Sequence, residues 1–305
     1  MTGSGRACGK VILFGEHFVL HGGTAIAVPL LAAELRVRVG FEAGGVRVFE
    51  SPWEDPARAT ELLETALREL GLPPGRGLRV AVEGNLPAGM GLGSSAALCV
   101  ALARSLLDLH GATPDEDLVS MAAFEMEHLF HGSPSGIDTT TVAFETPCFI
   151  KGGGEWAGAD APPVEGPVAG FVDVAPGLPL LVACSAQAGA TRQAVERVSS
   201  LAREPSGERM LRRLTEVAES IALRGASALR AGAWDSAGDL LNENHYLLAA
   251  LDLSTPEIEE LRRAMILGGA WGAKLTGAGL GGSIAVLAPE ALHDALEAEA
   301  RAAGA

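Results

Sequence analysis

A glycine loop that runs directly into an apolar segment constrains the fold of this chain more than any other feature. The loop reads Pro87-Ala-Gly-Met-Gly-Leu-Gly-Ser-Ser-Ala-Ala97, and its glycines allow successive N–H groups to turn toward one point. The segment Ser94–Leu109 is rich in Ala and Leu at helical spacing, which predicts a helix. Unpaired N–H groups and the positive end of the helix dipole then coincide. The pattern favours a phosphate-binding loop, with a tight turn before a buried helix as the alternative.

The rest of the hydrophobic pattern predicts a mixed α+β fold. In the first half we expect strands over Lys10–Gly15, Thr24–Leu30, Leu35–Gly40, Leu78–Val82 and Pro147–Lys151. We expect helices over Pro56–Leu70 and about Pro114–Leu129, the latter with Thr113 as its N-cap. In the second half we expect strands over Val168–Val174 and Leu180–Cys184, three or four helices through Leu267, a strand–glycine turn–strand over Ala273–Leu287, and a terminal helix.

The segment Gly152–Pro167 is dense in Gly, Pro and Ala, a composition typical of a linker. The sequence therefore predicts two lobes, residues 1–167 and 168–305.

The charge of the chain narrows its partners. A formal net charge of −15 and an isoelectric point near 4.9 argue against nucleic acid or an anionic membrane as a partner. The sequence has neither a signal-peptide pattern nor an apolar run of about 18 residues. We therefore expect a soluble, cytoplasmic protein.

Cysteines and histidines do not form a recognisable metal motif. The four cysteines, at positions 8, 99, 148 and 184, are far apart and contain no C-x-x-C pair, so buried free thiols are expected. The pairs His17/His21 and His128/His131 lack the further ligands that a zinc site needs.

Lysine is rare in this chain. There are three lysines, Lys10, Lys151 and Lys274, against twenty arginines (23 basic residues minus three). Positions that kept lysine are candidates for a compact ammonium rather than a planar guanidinium. Lys10 is the best of them because acidic and imidazole groups follow it, whereas Lys151 and Lys274 are expected at exposed strand ends.

Two glycine patterns resemble nucleotide motifs but lack their context. Gly9-Lys10 is followed by Val11 rather than Ser or Thr, so it is not a Walker A loop. Gly277-Ala-Gly-Leu-Gly-Gly282 is followed by a strand pattern, where a dinucleotide-binding fingerprint requires a helix.

Phosphoryl transfer normally uses Mg²⁺ held by hard oxygen ligands. Ser94 or Ser95 places a hydroxyl beside the glycine loop, and Glu125 or Glu127 offers a carboxylate. Residues two apart on a helix point about 200° apart, so at most one of these glutamates faces the site.

Asp138 is the candidate for the catalytic carboxylate. It follows the turn-forming segment His131-Gly-Ser-Pro-Ser-Gly-Ile, and a carboxylate there is able to accept the proton of a substrate hydroxyl. A cation such as Lys10 nearby would keep it ionised. A turn residue or a helix N-cap is the alternative reading of Asp138.

Three motifs occur in order along nearly the whole chain: GKVILFGEHFVLHGG, PAGMGLGSSAA and KLTGAGLGGS. Together they resemble the GHMP small-molecule kinases, the family of galactokinase, homoserine kinase, mevalonate kinase and phosphomevalonate kinase. The segments around Glu16-His17 and Glu127…His131-Gly-Ser-Pro-Ser-Gly-Ile-Asp138 are most similar to the mevalonate kinase branch. The family resemblance implies a two-lobed α+β fold whose C-terminal lobe is ferredoxin-like.

The resemblance also implies roles for individual residues. Asp138 and Lys10 would be catalytic, and Mg²⁺ would bind Ser95 and Glu127. Substrate contacts would come from Glu16, His17 and Thr191. The residues that bind the ATP phosphates would be those of the glycine loop, Gly89, Gly91, Leu92, Gly93, Ser94 and Ser95. The glycines of the third motif, Gly277, Gly279 and Gly281, would support that loop.

By this resemblance the chain is expected to transfer the phosphoryl group of ATP to a small hydroxy acid, mevalonate before others. Because dimers are common in the family, the resemblance also offers a homodimer as a candidate assembly. Alternatives are a family kinase that acts on phosphomevalonate or a sugar, and a catalytically inactive relative that only binds ligand. Two residues depart from the family pattern, Cys8 in place of a proline and Leu280 in place of a glycine. The bulk of Leu280 is expected to narrow the space beside the phosphates.

Overall fold

The computed structural model describes residues 2–43, 47–50, 56–74, 77–131, 134–152 and 168–305. It is a mixed α+β fold, as predicted. Its strands are β1 Thr2–Phe14, β2 Thr24–Glu42, β3 Arg47–Glu50, β4 Gly77–Gly84, β5 Cys148–Lys151, β6 Val168–Phe171, β7 Leu180–Cys184, β8 Gly272–Thr276 and β9 Ser283–Leu287. Its helices are α1 Pro56–Glu69, α2 Ser94–Leu109, α3 Glu116–Glu127, α4 Ile137–Phe144, α5 Thr191–Leu201, α6 Pro205–Ala231, α7 Trp234–Ala250, α8 Pro256–Leu267 and α9 His293–Ala302.

The chain divides into two compact units, and the first comprises the described parts of residues 1–10, 29–88 and 93–146. In this unit β4 runs antiparallel to the C-terminal half of β2, with Leu35 opposite Gly84 and Glu42 opposite Gly77, and β3 pairs with β4 in parallel. The centre is α2, which is buried on most of its surface and packs against α1, α3 and α4. A helix built from Ala and Leu suits that position because both faces must be apolar.

The second unit comprises the described parts of residues 11–28, 89–92 and 147–305. Here β5 pairs antiparallel with the start of β2, and β6 pairs with β5. A separate antiparallel sheet has the strand order β7-β9-β8. Helices α7 and α8 pack against β8, and the core between them includes Leu248, Leu261, Leu275 and Ile284.

Most predicted elements are present, but β1 begins at Thr2 rather than Lys10, and β3 and α4 were not predicted. Helix α2 and strand β7 have the predicted limits. The two strands predicted over Thr24–Leu30 and Leu35–Gly40 are one continuous strand, β2. The N-cap of α3 is Asp115 rather than Thr113, because the Asp115 carboxylate accepts hydrogen bonds from the backbone N–H groups of Asp117 and Leu118.

The lobe boundary predicted within Gly152–Pro167 falls almost wholly on residues 153–167, outside the described residues, and stays a prediction. All four cysteines are free thiols, as expected; Cys8, Cys99 and Cys148 are buried, whereas Cys184 is only half-buried. Burial raises the pKa of the Cys8 thiol to about 11, so it is protonated near neutral pH. In the described part of the chain, every helix is too short or too polar to span a bilayer.

Candidate active site

The first unit contains a buried ion pair between the two residues predicted to be catalytic. Lys10 lies in β1 with 2% of its side chain exposed, and its Nζ is 3.0 Å from Oδ2 of Asp138 in the first turn of α4. Asp138 keeps 25% of its side chain exposed. Pairing offsets the desolvation of the ammonium, while the carboxylate remains accessible to a bound hydroxyl group.

A second polar group in the same unit joins the start of α2 to the end of α3. Ser95 Oγ donates a hydrogen bond to Oε1 of Glu127 over 3.0 Å, and Nε2 of His131 lies 3.3 Å from the same hydroxyl oxygen. Burial and the charge of Asp138 raise the pKa of Glu127 to about 8, although the Ser95 hydrogen bond and the charge of Lys10 act in the opposite direction. Burial lowers the pKa of His131.

Of the two candidate glutamates, Glu127 faces this group and Glu125 is exposed. A hydroxyl and a carboxylate are the hard oxygen donors that Mg²⁺ prefers, and two protein ligands leave coordination positions for phosphate oxygens. The donor set of Ser95 and Glu127 therefore fits a magnesium ion.

Gly93 joins the glycine loop to α2 and lies against Lys10. It is the N-cap of α2 with φ of 76°. A Cβ added at this position would stand 2.7 Å from Cγ of Lys10, closer than carbon atoms approach in proteins. Glycine is thus required both for the positive φ and for the space that the buried lysine occupies.

In the second unit, the start of the glycine loop and the third glycine motif are in close backbone contact. A Cβ at Gly91 would lie 2.8 Å from the carbonyl oxygen of Thr276, and one at Gly277 would lie 2.8 Å from Cα of Gly91. Ser283 Oγ also donates a hydrogen bond to the carbonyl of Met90 over 2.8 Å. Backbones this close leave no room for side chains at the two glycines.

The segment before α5 joins the same contact. The N–H of Gly189 donates to the carbonyl of Gly89 over 2.9 Å, and the N–H of Ala190 donates to the carbonyl of Gly279 over 3.3 Å. A Cβ at Gly281 would lie 2.7 Å from the carbonyl oxygen of Ala188. Thr191, which follows directly, is the first residue of α5 and is half-buried. The unit therefore brings Thr191 together with two of the three sequence motifs.

The two remaining sequence candidates, Glu16 and His17, lie in the buried turn after β1. Nε2 of His17 lies 2.7 Å from the carbonyl oxygen of Ala278. Because a carbonyl only accepts, Nε2 carries the proton, and burial lowers the pKa of the ring so that it is neutral. Glu16 is 2% exposed and contacts Lys274 and Asn244. The substrate contact predicted for Glu16 stays a prediction.

Lys151 ends strand β5, as expected, but the expectation that Lys151 and Lys274 are exposed was wrong. Lys274 is fully buried, and the Lys151 side chain is 17% exposed and lies 2.7 Å from Oε1 of Glu219. In each case an acidic partner far away in the sequence offsets the free-energy cost of removing the ammonium from bulk water.

Leu280 occupies a left-handed conformation, with φ of 58°, in the third glycine motif. Its N–H donates to the carbonyl of Leu253 over 2.7 Å, and its side chain packs against the hydrophobic core of the second unit. The core thus takes up the bulk that was expected to narrow the space beside the phosphates.

Sequence reasoning missed three polar residues of these groups. His131 was considered only as a zinc ligand, Lys274 as a surface residue, and Asn244 not at all. The scarcity of lysine was a usable signal for Lys274, whereas nothing in the local sequence distinguishes Asn244 from an exposed helix residue.

Comparison with known proteins gives consistent matches over most of the chain. The model for the GHMP kinases N terminal domain matches residues 57–146, and the model for the GHMP kinases C terminal domain matches residues 226–305. A mevalonate kinase of Aeropyrum pernix is 36% identical over 299 residues, covering 91% of this chain and 86% of that protein. A mevalonate kinase of Pyrococcus furiosus is 31% identical, with 92% and 87% covered.

Among solved structures, the mevalonate kinase of L. major in complex with R-mevalonate superposes with a TM-score of 0.82 at 27% sequence identity. The match covers 99% of this chain and 92% of that one.

Proposed function

The chain belongs to the GHMP kinases, and from that premise we propose that it transfers the γ-phosphoryl group of ATP to mevalonate. As a member of this family it is an ATP-dependent small-molecule kinase. The observation that carries the proposal is the Lys10–Asp138 ion pair, which lies in the same unit as the Ser95–Glu127 hydrogen bond. The choice of acceptor rests on the relatives named mevalonate kinase, which align over about nine tenths of the chain.

The ATP phosphates are proposed to lie on the loop from Gly89 to Ser95. The loop ends at the N-terminus of α2, where the first backbone N–H groups have no partner within the helix. These donors and the positive end of the helix dipole favour a bound polyanion. Close packing of Gly277 against Gly91 and the hydrogen bond from Gly189 to Gly89 restrain the start of the loop, while Gly279 and Gly281 pack beside the Gly189 segment; little conformational entropy would then be lost when phosphate binds.

Ser95 and Glu127 would hold the magnesium ion that accompanies ATP. When bound, Mg²⁺ neutralises charge on the phosphate oxygens during transfer. The negative charge that burial and Asp138 make unfavourable on Glu127 would be compensated by a cation at this place.

Asp138 is proposed to accept a hydrogen bond from the attacking hydroxyl of the acceptor and to orient it or take its proton. Lys10 fixes the position of that carboxylate through the 3.0 Å ion pair. The transition state of phosphoryl transfer is loose, so positioning of the hydroxyl contributes more than a strong base would. Fixing Asp138 through a buried lysine supplies that positioning.

His17 and Thr191 are proposed to contact the acceptor. The Nε2–H group of His17 donates a hydrogen bond to the carbonyl of Ala278, which leaves Nδ1 as a hydrogen-bond acceptor. His17 is therefore suited to a hydroxyl group of the substrate rather than to its carboxylate. The hydroxyl of Thr191, at the start of α5, is both a donor and an acceptor.

The test is ADP release from Mg-ATP by the purified protein with mevalonate, phosphomevalonate, galactose or homoserine as acceptor. We expect turnover with mevalonate at about 1–100 s⁻¹, well above the others. Turnover with a different acceptor would support the kinase activity but would replace mevalonate by that acceptor. Absence of turnover with all four would contradict the proposal.

A further inference from the structure

Lys274 is the fully buried lysine of the second unit, and its partners lie in and beside the turn after β1. It stands in β8, where every residue is buried. Its Nζ donates to the carbonyl oxygen of Ile12 over 3.0 Å and forms an ion pair with Oε1 of Glu16. A lysine buried this completely is found almost only where its charge is paired.

Glu16 is held from a second direction by Asn244 of α7. Nδ2 of Asn244 donates to Oε2 of Glu16 over 3.3 Å, and Oδ1 of Asn244 accepts the backbone N–H of Gly15 over 3.1 Å. One carboxylate oxygen therefore contacts the ammonium and the other contacts the amide. With 2% of the residue exposed, Glu16 presents almost no surface to a ligand.

The residue that follows Glu16 has an unfavourable backbone conformation. His17 has φ of 59° and ψ of −43°, a region that residues with a side chain seldom occupy and that persists only where the surroundings enforce it. The turn is closed by hydrogen bonds from the N–H of Val19 to the carbonyl of Gly15 and from the N–H of Leu20 to the carbonyl of His17. The two contacts on Glu16 anchor the start of this turn.

The choice of lysine at position 274 has a physical reason. An ammonium is a compact charge with three rotatable donors, which suits two oxygen acceptors inside a packed strand, whereas a guanidinium is larger and planar. This is the requirement that the scarcity of lysine in the sequence points to.

We propose that Lys274, Glu16 and Asn244 form a buried clamp that sets the conformation of His17, so that Glu16 is a positioning residue and does not itself touch the acceptor. The proposal rests on the function proposed above for His17 as an acceptor contact. It replaces the direct substrate contact predicted for Glu16 with an indirect one.

The experiment compares the wild type with Lys274→Met, Glu16→Gln and the double variant. Removing one charge leaves the other buried without an ionic partner, and removing both does not. Each single variant is expected to shift the side-chain NMR signal of His17, assigned through His17→Gln, and the double variant is expected to return it toward the wild-type position. The mevalonate KM is expected to rise about tenfold in Lys274→Met, with kcat within about threefold of the wild type, and to recover in the double variant.

Leu296→Ala is the matched control. Leu296 is a buried core residue of α9 in the same unit, with 1% exposure, so its truncation lowers the melting temperature without acting on the turn. It should leave the His17 signal and the mevalonate KM unchanged. A general loss of stability is thereby separated from loss of positioning.

An unmoved His17 signal in Lys274→Met would overturn the proposal. So would a double variant no better than Glu16→Gln, because that result means that the carboxylate itself contacts the acceptor. If Lys274→Met does not fold, the proposal is tested by the His17 signal and the mevalonate KM of Glu16→Gln and of the double variant. The double variant must then be closer to the wild type in both. The NMR readout needs no substrate, so an inactive wild type would contradict the proposed function and leave the clamp to be judged separately.

Discussion

Replacing Gly93 by alanine tests whether the residue that joins the glycine loop to α2 also keeps Lys10 in place. The structure gives two separate costs. An L residue at φ of 76° is disfavoured by about 1–2 kcal/mol, and a Cβ 2.7 Å from Cγ of Lys10 forces the buried lysine to move, an overpacking cost of about 1–3 kcal/mol. Gly93→Ala should therefore lower the free energy of unfolding by about 2–5 kcal/mol. Displacement of Lys10 should also reduce kcat by about 10²-fold, because Asp138 loses its anchor.

Gly111→Ala provides the comparison. Gly111 has φ of 71°, and a Cβ there would meet nothing within 4 Å, so this variant carries the backbone cost alone, about 1–2 kcal/mol. The entropy that alanine removes from the unfolded chain is the same in both variants and cancels. Urea denaturation gives the two free energies of unfolding, and steady-state assays give kcat.

Introducing Gly93→Ala together with Lys10→Met shows whether contact with Lys10 causes the extra loss of stability. If the extra loss in Gly93→Ala comes from contact with Lys10, the two substitutions will not be additive. Equal losses for Gly93→Ala and Gly111→Ala, together with kcat within about threefold of the wild type, would refute the reasoning.

Three further results are expected. Lys10→Arg keeps the charge but not the compact shape, so kcat should fall by at least about tenfold, and full activity would show that any cation suffices. Glu127→Gln should raise the Mg²⁺ concentration needed for half-maximal activity by about tenfold or more, and an unchanged magnesium titration would remove Glu127 as a ligand. The Nδ1 atom of His245 accepts the N–H of Leu275 over 3.2 Å, and burial lowers the pKa of its ring below the ordinary 6.5. The unfolded chain therefore binds more protons in acid, and the free energy of unfolding should decrease as pH falls below about 6.5, less so in His245→Gln.

Local patterns predicted the elements whose signals are strong within a few residues. Helix α2 has an apolar period and a glycine before it, and its limits are those of the prediction. Strand β2 was divided because residues 31–34 are Leu-Ala-Ala-Glu and show no alternation of apolar and polar side chains. The structure nevertheless has one strand over Thr24–Glu42, which pairs with β4 at Leu35–Glu42 and with β5 at Thr24–Ala27, and such pairing is not encoded locally.

The residues of the candidate site also divide into those that local sequence predicts and those that depend on contacts distant in the sequence. The glycines of the loop were predictable because few residues permit their backbone conformation. The buried contacts of Lys274 were not predictable, since Glu16 lies 258 residues away in the sequence and a lysine in a strand is usually exposed. The same holds for His131, whose contact with Ser95 depends on the packing of α3 against α2.

The central claim, that Asp138 directs phosphoryl transfer from ATP to mevalonate, is tested most directly by comparing the wild type with Asp138→Asn. Formation of phosphomevalonate is followed by ³¹P NMR and initial rates, and ATP affinity is measured by calorimetry. We predict that the wild type makes the phosphate ester and that Asp138→Asn is slower by about 10²-fold or more, with ATP affinity within about twofold of the wild type. Activity of Asp138→Asn within about threefold of the wild type, or ATP consumption without the ester, would contradict the account.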